Sequence, residues 1–121
     1  MYFNVALAVF MSLLAAKTGA DRPTYNVKFY SDKNCKTELS TAQINMNVTC
    51  SKIWQKADEK ALSYLAIGPK DYEVGGVRGE ATMNLYTQEN CPKSGSPQVA
   101  QFGACSGGSS NLVSYDFFLY P

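Results

Sequence analysis

The sequence predicts an all-β fold: a compact β-sandwich of two sequence-related, Greek-key-like motifs, each with one internal disulfide. Three observations point to it. Lys28-Phe29-Tyr30-Ser31-Asp32-Lys33-Asn34-Cys35 returns 56 residues later as Asn84-Leu85-Tyr86-Thr87-Gln88-Glu89-Asn90-Cys91. The cysteines repeat with it, since Cys35 to Cys50 spans fifteen positions and Cys91 to Cys105 fourteen. Around these landmarks apolar and polar residues alternate, the period of a half-buried strand.

The first twenty residues read as a secretory signal peptide. An apolar run of twelve, Val5 to Ala16, precedes Lys17 and the small-residue exit Thr18-Gly19-Ala20, which places cleavage after Ala20. The run is too short for a membrane span, although Met1 to Asn4 lack the usual basic side chain. The expected mature chain, 21–121, is a single domain: motif one at about 24–68, a connector at 69–79, and motif two at about 80–121. It has ten basic and ten acidic residues, and a net charge of zero argues against a nucleic-acid partner. We expect a secreted, extracellular protein, a monomer without stable membrane insertion.

Within motif one, Tyr25 to Tyr30 reads as a strand with Tyr25, Val27 and Phe29 on one face, and Ser31 to Asn34 as the polar turn that ends it. One or two short strands follow before Cys50, the firmer at Gln43 to Thr49. The stretch Ile53 to Leu65 fits a helix through Trp54, Ala57, Ala61 and Leu65, or a turn and a new strand from Leu62 to Ile67. Alignment of Ser63-Tyr64 with Ser114-Tyr115 favours the strand. Tyr72 to Arg78 reads as a hairpin turning at Gly75-Gly76. In motif two, Ala81 to Tyr86, Gln98 to Cys105 and Leu112 to Leu119 read as strands, with Pro92 to Pro97 and Ser106 to Asn111 as loops. The expected core joins Val27, Phe29, Ile44, Met46, Leu62 and Tyr64 to Met83, Leu85, Val99, Phe102, Val113, Tyr115 and Phe117.

Four cysteines in a small secreted chain read as two disulfides. Zinc is disfavoured by the absence of histidine and by cysteine spacings no shorter than fourteen residues. Three pairings are open, and the repeat favours Cys35–Cys50 with Cys91–Cys105, giving both copies the same staple. A bond from Cys35 into the second copy would argue against two self-contained modules.

The order aromatic-Tyr, polar turn, Asn-Cys, spaced Cys and closing Ser-Tyr resembles small secreted cysteine-containing proteins of filamentous fungi, some βγ-crystallin-like and others similar to killer toxins or plant-infection effectors. It is carried by Phe29-Tyr30, Asn34-Cys35, Cys50 and Ser63-Tyr64, and again by Leu85-Tyr86, Asn90-Cys91, Cys105 and Ser114-Tyr115. The calcium signature of many βγ-crystallins is not recognisable, so no metal or other cofactor is implied.

Without histidine the chain lacks the commonest general base, and oxidised cysteines leave no thiolate nucleophile. Two carboxylates suffice for glycoside hydrolysis, and Asp32, Glu38, Asp58, Glu59, Glu73, Glu80, Glu89 and Asp116 are available. Most fall in polar turns, and an outward position on an alternating strand accounts for Asp116. We therefore expect no enzymatic activity and no catalytic residue. Trp54 and Tyr72, outside the repeat, are the candidate binding residues; the repeated tyrosines read as framework. Asn47-Val48-Thr49 is the one acceptor sequence for N-glycosylation. The leading expectation is an effector-like binding protein facing a host or competitor protein or glycan. Its alternatives are a killer-toxin-like antimicrobial, which zero net charge disfavours, and a cell-wall glycan binder.

Overall fold

A computed structural model describes residues 22–54, 59–94 and 96–120. The expected signal peptide lies outside them. Nine strands and no helix are present among the described residues: β1 (Tyr25–Tyr30), β2 (Glu38–Ile44), β3 (Val48–Lys52), β4 (Ala61–Ile67), β5 (Asp71–Val74), β6 (Val77–Tyr86), β7 (Gln98–Val99), β8 (Ser106–Leu112) and β9 (Ser114–Tyr120). They form two antiparallel sheets. One has the order β2-β1-β4-β8; the other has the order β3-β9-β6-β5, with β7 also pairing β6.

The chain order explains how the sheets interlock. Three strands of the first sheet come from the first half of the chain and β8 from the second. In return β3, from the first half, pairs with β9 in the second sheet. The inward rows of both sheets meet in one core that includes Tyr25, Val27, Phe29 and Tyr64 from one side and Met83, Leu85, Tyr115 and Phe117 from the other. Tyr25 packs on Phe117 with ring centroids 5.0 Å apart, and Phe29 on Tyr115 at 5.7 Å. Such pairs add to the stabilisation from buried apolar area.

The expected disulfides are corrected. Cys35 is bonded to Cys105 and Cys50 to Cys91, so neither Cys35–Cys50 nor Cys91–Cys105 exists. The cause is the strand exchange: Cys50 lies on β3, which belongs to the second sheet, and Cys105 immediately precedes β8, which belongs to the first. Each bond therefore ties a turn of one half to the strand supplied by the other. Two self-contained, internally stapled modules are the wrong picture.

Several strand assignments change as well. Gln43 to Thr49 is not continuous, because a bend at Asn45-Met46 separates β2 from β3. Met46 consequently points away from the core and is 63% exposed. Ser106 to Asn111 is strand, not loop. Its small polar residues have little β-propensity, but ladder bonds are made by the backbone, and here Ser106 and Gly107 pair with Tyr64 and Ser63. Asn111 Oδ1 adds a bond from the Ala61 amide at 2.9 Å. Gln98 to Cys105 contributes only the two-residue β7 and a bridge from Phe102 to Ala66; Val99 is 58% exposed. Leu112 to Leu119 breaks at Val113, where the chain crosses between sheets: the Val113 amide donates to Tyr86 O and its carbonyl accepts from Ile53 N. Leu62 and Val113 are half-buried rather than core, whereas Phe102, also half-buried, packs against the core with its ring 5.7 Å from that of Tyr25.

The strand Leu62 to Ile67 and the hairpin at Gly75-Gly76 are present as β4 and β5–β6. At that turn both glycines have positive φ, 57° and 81°, as a two-residue hairpin turn of the primed type needs.

Candidate functional site

Two turns, one after β1 and one after β6, are closed by the same local chemistry. After β1, Cys35 takes a positive φ of 56° and its amide donates to Ser63 Oγ at 3.2 Å; that hydroxyl donates to Asp32 O at 2.5 Å. After β6, Cys91 has φ 46°, its amide donates to Ser114 Oγ at 3.2 Å, and Ser114 donates to Gln88 O at 2.6 Å. Both serines are fully buried. Each one is both acceptor and donor, which satisfies a turn whose backbone has no ladder partner. The Ser-Tyr pairs are thus clasp and core: the tyrosines pack inside while the serines lock the Asn-Cys turns.

The turns differ in one respect. In the first, the Asp32 carboxylate accepts from the amides of Thr37 (2.8 Å), Lys36 (3.0 Å) and Asn34 (3.0 Å). These bonds, that from Thr37 foremost, hold its carboxyl below the ordinary value of 3.8. Asp32 is therefore occupied in shaping its own loop.

Asp116 holds the outward position that the alternation predicts, but without exposure to solvent. It occupies the outward row of β9, between Tyr115 and Phe117 of the core row, yet is only 2% exposed. Asn84 Nδ2 donates to one carboxylate oxygen at 2.8 Å and the Tyr86 hydroxyl to the other at 2.7 Å. Burial, followed by the bond to Asp116, pushes the Tyr86 phenol up to about 12. Sequence reading placed Tyr86 in the framework and missed its polar partner. The available signal was the Asn84, Tyr86 and Asp116 set, on facing strands.

Trp54 and Tyr72 are not brought together. Trp54 follows Ile53, whose amide bonds to Val113 O beside the start of β9, whereas the Tyr72 hydroxyl donates to Tyr120 O at its end, 2.9 Å away. Six strand residues, roughly 20 Å, separate those anchor points. Trp54 is 57% exposed and leads into 55–58, outside the described residues.

Tyr72 is half-buried. Its ring lies on Gly79, opposite it in the β5–β6 register, where an added Cβ would come within 2.5 Å of the ring. β6 pairs with β9 only from Glu80 onward; Gly79 still lies against Tyr120 O, and Val77 and Arg78 run on past the described end of β9 with β5 as their ladder partner. Tyr72, Val74 and Val77 continue the inward row of Gly79, Ala81 and Met83 along this overhang. With Arg22 they line a shallow groove of about 240 Å³.

No protein-family model, curated protein or solved structure matches this chain. The groove and the exposed indole must therefore be interpreted from their own chemistry. A second cleft, also about 240 Å³, lies between Tyr86-Thr87-Gln88 and the loop bearing Ser94 and Ser96, and its lining is mainly polar. No cluster of three or more metal-ligating side chains occurs among the described residues, and no helix among them is long and apolar enough to cross a membrane.

Proposed function

We propose that this chain is a secreted, non-enzymatic binding protein of effector type, related to the small cysteine-containing proteins of filamentous fungi, whose two Greek-key-like halves form a rigid platform for a protein partner. The exchange of β3 and β8 and the matching serine clasps support the relation between the halves. The crossed disulfides fit an oxidising, extracellular setting. The observation that carries the binding reading is the β5–β6 overhang, whose Tyr72, Val74 and Val77 extend a core row past the described end of β9 beside Arg22. Aromatic and arginine side chains around an apolar groove are the composition of a protein-contact centre. Against catalysis stand the engaged carboxylates: both oxygens of Asp116 and the whole Asp32 head group already accept hydrogen bonds.

The test is affinity capture from host extracellular fluid with the oxidised protein, comparing the native chain with Val77→Glu and Arg22→Ala. A partner retained by the native protein and lost by both variants is expected. Equal capture by all three would remove the groove from the reading. Hydrolysis of a polysaccharide or peptide, abolished by a single carboxylate substitution, would replace binding with catalysis.

The exposed Trp54 favours a second reading, glycan binding at the other end of β9, because an indole face stacks on sugar rings. A glycan array with native protein and Trp54→Ala decides it: a signal that the substitution abolishes supports the reading, and a blank array dismisses it.

A further inference from the structure

Asn47 sits in the link between β2 and β3, where its side chain replaces a missing ladder bond. β3 begins only at Val48, opposite Phe117, and the Leu119 amide beyond that point has no strand residue to donate to. Asn47 Oδ1 accepts it at 2.7 Å. Because a backbone N–H must donate, the amide orientation is fixed, with Oδ1 on the strand and Nδ2 turned away. Nδ2 makes no hydrogen bond among the described residues. Asn47 and Thr49 are both exposed, whereas Val48 between them packs against the core.

We infer that Asn47 carries an N-linked glycan on Nδ2 while its Oδ1 continues to hold Leu119. The inference rests on the secretion reading above. The transfer joins Nδ2 to the anomeric carbon of a lipid-pyrophosphate-linked oligosaccharide. The bond from that carbon to pyrophosphate oxygen breaks, the lipid pyrophosphate leaves, and one Nδ2 proton is released. The product is a secondary amide that keeps the carbonyl acceptor, so modification and the strand pin are compatible. The glycan projects beside Met46 at the start of β3, an outer strand of its sheet. A bulky polar group there shields an exposed methionine and an unpaired strand edge, a liability that folded proteins otherwise cover or charge. It also leaves the β5 edge, on the far side of that sheet, open to a partner.

Expression of the full chain, with its own N-terminus, in a eukaryotic secretory host tests this. The secreted protein should be heavier than its sequence mass and return to it after peptide N-glycosidase treatment, with residue 47 converted to aspartate. Thr49→Ala should abolish the added mass. Asn47→Asp should abolish it too but unfold at nearly the same urea concentration as Thr49→Ala, since a carboxylate oxygen still accepts from Leu119; Asn47→Ala should unfold earlier than both. Secreted native protein of unmodified mass would overturn the inference and leave the secretion reading standing, whereas full-length chain retained inside the cells would overturn both. Equal stability of Asn47→Ala and Asn47→Asp would overturn the part that assigns Oδ1 to the strand.

Discussion

Replacing Tyr86 by phenylalanine removes a single hydroxyl from the buried face of Asp116. The carboxylate keeps its burial and its 2.8 Å bond from Asn84 but loses the 2.7 Å bond on its other oxygen. A hydrogen bond to a charged group contributes about 1.5–3 kcal/mol, and leaving a buried acceptor unsatisfied costs at the upper end of that range. Tyr86→Phe should therefore destabilise by about 2–3 kcal/mol, or roughly 8–24 °C in Tm for a domain of this size. Asp116→Leu, which replaces the carboxylate by an apolar side chain of similar size, removes the charge itself. In that background Tyr86→Phe should be neutral or mildly stabilising, so the two changes should couple by at least about 2 kcal/mol.

Urea and thermal unfolding of the four proteins at neutral pH, with disulfides intact, supply the cycle. The pH dependence adds a second readout. The folded pKa of Tyr86 lies above the ordinary 10.0, at about 12, so its neutral phenol contributes stability fully below pH 10 that is lost as pH rises towards 12. Tyr25, raised to about 12 by burial first and then by Tyr72 and Asp71, acts in the same window, so Tyr86→Phe should flatten the alkaline fall in part only. Strict additivity of the two substitutions, or a Tyr86→Phe cost below about 0.5 kcal/mol, would refute a buried, mutually satisfied network.

Non-reducing peptide mapping should recover Cys35 with Cys105 and Cys50 with Cys91, and no other pair. These bonds close loops with separations of 70 and 41 residues, and in the chain-entropy model each stabilises by about 4 kcal/mol, so reduction of both should unfold the protein in mild urea. Ser63→Ala and Ser114→Ala should each cost about 1–3 kcal/mol in urea unfolding, because each leaves a turn amide and a carbonyl without the hydroxyl between them. Asp32→Ala should lower the urea midpoint at neutral pH and lose that difference in acid. The Asp32 carboxyl is held below 3.8, so its contribution is complete above that value and disappears as pH falls through the folded pKa.

What could be read from the sequence followed from side-chain alternation. Tyr25, Val27 and Phe29 share the buried row of β1 as their spacing says, and Met83 with Leu85 does the same on β6. Alternation is no guide where backbone or polar bonding decides. Ser106 to Leu112 is a strand through its ladder to β4, which no side-chain pattern announces. Met46 and Val99 continue an alternating pattern but lie beyond a bend or on a two-residue strand, so both face solvent. For the candidate site, the sequence sets Tyr72 and Trp54 apart as aromatic residues outside the recurring Tyr and Cys positions. Their separation to opposite ends of β9, and the overhang that gives Tyr72 its groove, depend on strand register and could not be read from composition.

The disulfides show most sharply what a repeat can decide. If the halves are related as we propose, a pseudo-twofold exchanges Cys35 with Cys91 and Cys50 with Cys105. Pairing within each copy satisfies that symmetry, but so does the crossed pairing, and so does Cys35 with Cys91 together with Cys50 with Cys105. The repeat therefore selects none of the three; the destination of the middle strand does. With β3 beside β9 and β8 beside β4, Cys50 reaches the turn clasped by Ser114, and Cys105 reaches the turn clasped by Ser63. The covalent bonds thus lie between halves that are already interlocked by exchanged strands. Cutting one bond should loosen both sheets together, and no fragment ending near residue 68 should fold, because its sheet would lack β8 and its β3 would have no partner.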